Sequence, residues 1–350
     1  MGLQSFVMKR MQKRGAGGGS TMPTPKAERK YLAKARESHE SGETTYIASS
    51  PNSPTNGFEM LADKEVEMFE FPEKVRMITR KTMRYMISMI RSRTRSFKDL
   101  IQNEDVVEIE VLENGNQELW EELKEYASEK WGIKKIGFTR ISPEFIFSGR
   151  FISYPYALVF IDEMRKDRID KAPEHAAGVE TMRVYWHLGN AVNDIARWLR
   201  KKGIKCQPNH PLDGLTVTPP LAGKAGLGWQ SQFGLLITPE FGVRQRIAPI
   251  FIDKQHFNVT DSIEHEWIEE YCSTCGICIE ECPTEAIMEK RVPYLEGVET
   301  IGALKSCIDR PKCYPYFLEA TGCSVCVKVC PFSRGGDVYD KLKSQFLKKK

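Results

Sequence analysis

The first 205 residues of this chain contain no cysteine, and nowhere does it run to 18 consecutive apolar residues. The first absence excludes a disulfide framework over more than half of the chain. The second excludes a membrane-spanning helix. An excess of one charge is also missing. With 51 Lys and Arg against 47 Asp and Glu, the balance is too even to argue for nucleic-acid binding. No G-x-G-x-x-G run occurs, so nothing marks a dinucleotide site. The opening MGLQSFVMKRMQKRGAGGGS has neither an apolar segment after its basic residues nor a twin arginine, which predicts no export signal and a cytoplasmic protein.

What is present is concentrated near the C-terminus, where nine of the 10 cysteines follow residue 270. Cys272, Cys275, Cys278 and Cys282 are spaced C-x2-C-x2-C-x3-C and followed by Pro283; Cys313, Cys323, Cys326 and Cys330 precede Pro331. Thiolate is the soft ligand iron needs, and two-residue gaps turn successive sulfurs toward one cluster. In two-cluster ferredoxins the fourth Cys of each run ligates the other cluster. The spacing therefore predicts two [4Fe-4S] clusters, one on Cys272, Cys275, Cys278 and Cys330, the other on Cys313, Cys323, Cys326 and Cys282. Cys307 is an alternative to Cys313 as the distant ligand. Structural zinc needs only paired knuckles, not a third Cys at x2, a fourth at x3 and a proline. Cys206 reads as a packed thiol.

At 350 residues and 41% hydrophobic, the chain holds a soluble globular body and a small appended domain. Residues 1–103 read as a partly disordered extension, rich in Gly, Ser, Thr and Pro up to residue 60. Within it, Val75, Ile78, Met83, Met86, Ile87 and Ile90 share one face of a basic helix at 75–94. Such a helix either lies on an anionic membrane surface or packs on the body, and packing is the favoured reading. The body spans 104–262. It opens on an alternating strand, DVVEIEVL, then a helix with Leu119, Leu123, Tyr126 and Ala127 as its stripe and Gly132 as its stop. IKKIGFTRI and YALVFIDEM read as strands, the second buried on both faces. A long helix over 179–202 aligns Tyr185, Leu188, Val192, Ile195 and Leu199. Glycines 223, 226, 228 and 234 suit sharp turns or close approach to a flat ligand. LLITPEFG and VRQRIAPIFI read as a hairpin with Arg244 and Arg246 on one face. A ferredoxin domain follows at 263–340, then a basic tail at 341–350.

Taken in order, the Tyr-bearing helix, PLAGKAGLGWQSQFGLLITPEFGVRQR, the first cysteine run, IDRPKCYPYF and the second run resemble the corrinoid-dependent reductive dehalogenases and their sister epoxyqueuosine reductases. The likeness covers about residues 105–335. It implies an α+β fold, with a nitroreductase-like cobalamin-binding domain ahead of the ferredoxin-like dicluster domain. It implies Tyr185 as proton donor, with Arg244 or Arg246 as the cation beside it, since a phenol of ordinary pKa near 10 is a weak acid. Gly226, Gly228, Trp229 and Gly234 would line the corrin, with Asn209 in the pocket. The sister enzymes place an aspartate within an Asp-Tyr-His run where this chain has Val184-Tyr185-Trp186-His187, which favours the dehalogenase branch. The implied partners are a small, possibly halogenated substrate and an electron donor such as a ferredoxin or flavodoxin, without nucleic acid. Two rival functions are a two-cluster electron carrier and an RNA nucleoside reductase.

Overall fold

The body mixes helices and strands. The computed structural model describes residues 26–42, 46–51, 53, 80–99, 103, 106–113, 115–212, 214–293 and 305–348. The elements are α1 (Lys26–Glu40), β1 (Ile47–Ala48), α2 (Arg80–Lys98), α3 (Gln117–Trp131), β2 (Lys135–Arg140), β3 (Phe151–Ile152), β4 (Tyr156–Glu163), α4 (His175–Lys201), β5 (Cys206–Pro208), α5 (Thr218–Lys224), β6 (Trp229–Gln230), β7 (Leu236–Ile237) and β8 (Gln245–Ile252). The C-terminal part adds α6 (Trp267–Cys275), α7 (Ile277–Glu280), β9 (Ile287–Pro293), β10 (Lys305–Ile308), α8 (Arg310–Glu319), α9 (Val325–Val329) and α10 (Val338–Leu347). No helix among the described residues is long and apolar enough to cross a membrane.

The central sheet has the order β2-β4-β8-β5, and each of its pairings is antiparallel. Strand β4 shows why its sequence is apolar throughout. Leu158 and Phe160 face a core built with α3 and α4, while Ala157, Val159 and Ile161 face a second core against α5. Burying each of the larger side chains contributes about 1.5–3 kcal/mol. Helix α3 starts where the Asn116 side chain accepts from Leu119 N and stops at Gly132, whose φ of 66° suits glycine. In α4, Leu188, Val192, Ile195 and Leu199 are fully buried, as their spacing predicts. The helix begins at His175, a turn earlier than its pattern indicates.

Two expectations are corrected. Residues 106–112 form no strand: Val107 is 87% exposed, and only Ile109 reaches the core. The edge of β5 beside them is occupied by Asn103, whose side chain bonds both the N–H and the carbonyl of Cys206. Within the N-terminal extension, Tyr31 and Ala35 of α1 are buried and β1 pairs with β3. LLITPEFG and VRQRIAPIFI make no regular hairpin. An isolated bridge, Thr238 to Gly242, closes a turn within the first segment, while β7 pairs with β6 and β8 joins the central sheet.

The basic helix does pack on the body, but with its polar seam inward. Ser88, Ser92 and Ser96 of α2 bond Trp186 and Asn193 of α4, and Arg93 pairs with Glu28 of α1. Val75 and Ile78 lie outside the described residues, and Met83 outside the described side chains.

Candidate active site and cluster domain

The first cysteine run sits on α6 and α7, which are separated at Gly276 in the left-handed conformation, φ 68°. That break turns Cys275 and Cys278 toward a common side. Cys313 stands on α8, and the cysteines after it begin in a loop where Thr321, Cys323 and Ser324 all have positive φ and continue on α9. Non-glycine residues held there carry backbone strain, a cost that packing must offset. The packing comes from the body. His175 Nδ1 lies 3.1 Å from Thr321 Oγ1, Lys328 donates to the Ala172 carbonyl, and Gly178 of α4 leaves room for the Thr321 carbonyl.

The thiols form two groups. Burial and the neighbouring Cys272, Cys278 and Cys275 push Cys330 well above the ordinary thiol range. Burial, Cys323 and Cys282 push Cys313 up to about 11. Cys282 departs from the pattern: burial raises it, but N–H groups of Thr284, Ala286 and Ile287 outweigh that and lower it. Cys307 lies on β10, its sulfur beside Gly234. No three Cys, His, Asp or Glu side chains among the described residues converge as a single metal ion requires.

Beside the second group opens a half-enclosed cavity of about 500 Å³. Its walls include Cys282, Cys313, Cys323 and Cys326 from the cluster domain, Thr181 and Tyr185 from α4, and Gln245 and Arg246 from β8. Phe233, Leu235 and Leu236 make it largely apolar, and its size falls in the range of cofactor pockets. The guanidinium carbon of Arg246 lies 5.3 Å from the centre of the Tyr185 ring. Arg246 also donates to Thr181 Oγ1.

The other residues singled out in the sequence lie elsewhere. Arg244 precedes β8 and turns away from Arg246, donating to the Ser333 and Met164 carbonyls and to Glu163. It ties body to cluster domain. Gly226 and Gly228 face the Thr260 and Ile237 carbonyls, and a Cβ on Gly234 would come 2.8 Å from Cys307 Sγ. Those glycines make room for backbone and sulfur, and none lines the cavity. Trp229 is buried and donates to Glu269, while Asn209 is enclosed against Pro249 and His210. Trp186 donates to Ser88, and His187 Nδ1 lies 2.7 Å from Asp162. Sequence reasoning missed Gln245, Tyr314 and Phe317. The aromatic run directly after Cys313 was the available signal.

Residues 271–333 match the profile of the 4Fe-4S double cluster binding domain, so the chain carries sites for two [4Fe-4S] clusters. The tetrachloroethene reductive dehalogenase of Desulfitobacterium hafniense is 28% identical over 210 residues, which are 58% of this chain and 37% of that protein. The epoxyqueuosine reductase of Atelocyanobacterium thalassa is 26% identical over 175 residues, 48% of this chain and 52% of that one. A solved reductive dehalogenase, described for B12-dependent dehalogenation, superposes with a TM-score of 0.58 at 18% identity, over 77% of this chain and 41% of that chain. The chain thus spans 37% and 52% of the lengths of these two curated relatives. In sequence and fold it is a relative of the reductive dehalogenases, with the epoxyqueuosine reductases as a sister family.

Proposed function

We propose that this chain is an iron–sulfur, corrinoid-dependent oxidoreductase of reductive-dehalogenase type that reduces a small, leaving-group-bearing molecule. One observation carries the proposal: a single cavity has four cluster-domain cysteines on one wall and the Tyr185–Arg246 pair on another. In this reading the body is a nitroreductase-like cobalamin-binding domain over residues 104–262, followed by the dicluster domain over 263–340. Cys272, Cys275, Cys278 and Cys330 hold one cluster; Cys282, Cys313, Cys323 and Cys326 hold the one facing the cavity.

The residues present fit a large macrocycle with an amide fringe. The wall is mostly apolar and takes polar groups from Thr181, Gln245 and Arg246, a lining suited to an apolar ring with a polar fringe. When bound, a corrinoid supplies a low-potential cobalt centre for reductive cleavage of the bond to the leaving group. The protein does the rest. Tyr185 holds the proton at its phenol oxygen and delivers it to the substrate carbon. Arg246 sets a positive charge where negative charge grows on that ring as the proton leaves. Phe233 and Leu236 exclude water. Electrons enter through the clusters from a donor such as a ferredoxin or flavodoxin.

The test is anaerobic reconstitution with iron, sulfide and cob(II)alamin, read by optical and electron paramagnetic resonance spectra and by cobalt content. About one corrinoid per chain is expected. Two reducible clusters without corrinoid binding would leave only an electron carrier. Tight, salt-dependent tRNA binding would favour an epoxyqueuosine-type reaction instead.

A further inference from the structure

The N-terminal helices form a layer whose outer side the proposed chemistry does not use. Helix α2 has seven Lys or Arg in its 19 residues and no Asp or Glu. Its serines and Arg93 are taken up by α4 and α1, as described above. That inward polar seam turns apolar side chains outward: Ile87 is 45% exposed and Ile90 36%. Helical spacing places them on one outward arc with Arg84, Arg91, Arg95 and Lys98, which are all exposed. Helix α1, packed alongside, exposes Lys26, Arg29, Lys30, Lys34 and Arg36, with Glu37 and Glu40 near its C-terminal end. Composition does not impose this, because the chain is close to neutral overall and α3 exposes Glu118, Glu121, Glu125 and Glu129 instead. On α2 itself the exposed charge is all positive.

We propose that this face docks the protein on an anionic lipid bilayer, the arginines on phosphate headgroups and Ile87 and Ile90 at the acyl boundary. The combination of a cationic arc with apolar side chains on one helix surface is what an interfacial helix needs. RNA is the poorer occupant. Basic faces that bind single-stranded or looped RNA add stacking aromatics, whereas here Tyr31 and Phe97 are buried and Tyr85 packs against Trp186.

The experiment is co-sedimentation of the full chain, under argon, with vesicles of phosphatidylcholine alone or mixed with phosphatidylglycerol. Binding to the anionic vesicles only, weakened by added salt, is expected. R84Q/R91Q/R95Q should weaken it roughly 100-fold, at about 1 kcal/mol per arginine. I87S/I90S should weaken binding while keeping its salt dependence, and thermal melts and iron content confirm that each variant is folded. No binding, binding unchanged in both variants, or tighter binding to a bulk tRNA preparation than to the anionic vesicles would overturn the proposal. None of these outcomes depends on corrinoid or turnover.

Discussion

Arg246 stacks over Tyr185 from the neighbouring strand, its guanidinium carbon 5.3 Å from the ring centre, and both side chains line the cavity that the second cysteine group borders. Tyr185→Phe keeps the ring and its contact with the cation but removes the proton. Turnover of an organohalide panel, driven by a chemical reductant, should fall about 10²–10⁴-fold, with iron content and corrinoid affinity unchanged. Arg246→Gln should lower turnover as well, and Arg246→Lys should recover part of it. Full activity in Tyr185→Phe would remove the phenol from the mechanism.

Cys307 and Cys313 are separated by a direct comparison. The Cys313 thiol is crowded by Cys323 and Cys282, while Cys307 packs near Gly234 on β10. Cys307→Ser should therefore keep about eight irons per chain, and Cys313→Ser should lose iron from one cluster. Iron analysis and the spectra of the reduced protein decide it. Equal loss in both variants would reopen the ligand assignment.

Some of this was legible in the sequence because the chemistry leaves little freedom. The cysteine spacings follow from cluster geometry, and YALVFIDE is apolar throughout because both faces of β4 are covered. Arg244 and Arg246 were harder. Their two-residue spacing suggests a shared face only if both lie on one strand, and β8 starts at Gln245, between them. The two-residue strand β1 carries little signal of its own and is ordered by pairing with Phe151 and Ile152. The tight glycines gave a true signal of close approach, but the approaching group is protein.

Gly178 lets the body hold the second cysteine run. In an exposed helix, glycine to alanine gains about 1 kcal/mol. At this position a Cβ would overlap the Thr321 carbonyl, two residues before Cys323. Gly178→Ala should therefore cost about 1–3 kcal/mol from overpacking and speed the loss of visible iron–sulfur absorbance on mild heating. A variant as stable as the parent would mean that the loop moves freely.

His210 makes stability pH-dependent in a window of its own. It is fully buried, its Nδ1 accepts from Leu212 N, and burial with the nearby Arg93 holds its pKa down at about 3. In the unfolded chain the imidazole takes a proton near its ordinary 6.5. Below that pH the unfolded state binds a proton that the folded state refuses, so stability falls as pH drops from about 6.5 toward 3, by about 1.4 kcal/mol per pH unit. His265, also lowered by burial, adds in the same direction. Glu180 acts lower. Burial raises it, but Arg183 and Arg165 outweigh that and bring it to about 2, so its contribution is lost only as pH falls from 4.5 toward 2. Thermal midpoints of the cluster-loaded protein at a fixed scan rate, compared at pH 7.5 and 5.5, should drop less in His210→Gln, which keeps an acceptor for Leu212. An identical drop in parent and variant would show that His210 does not resist protonation.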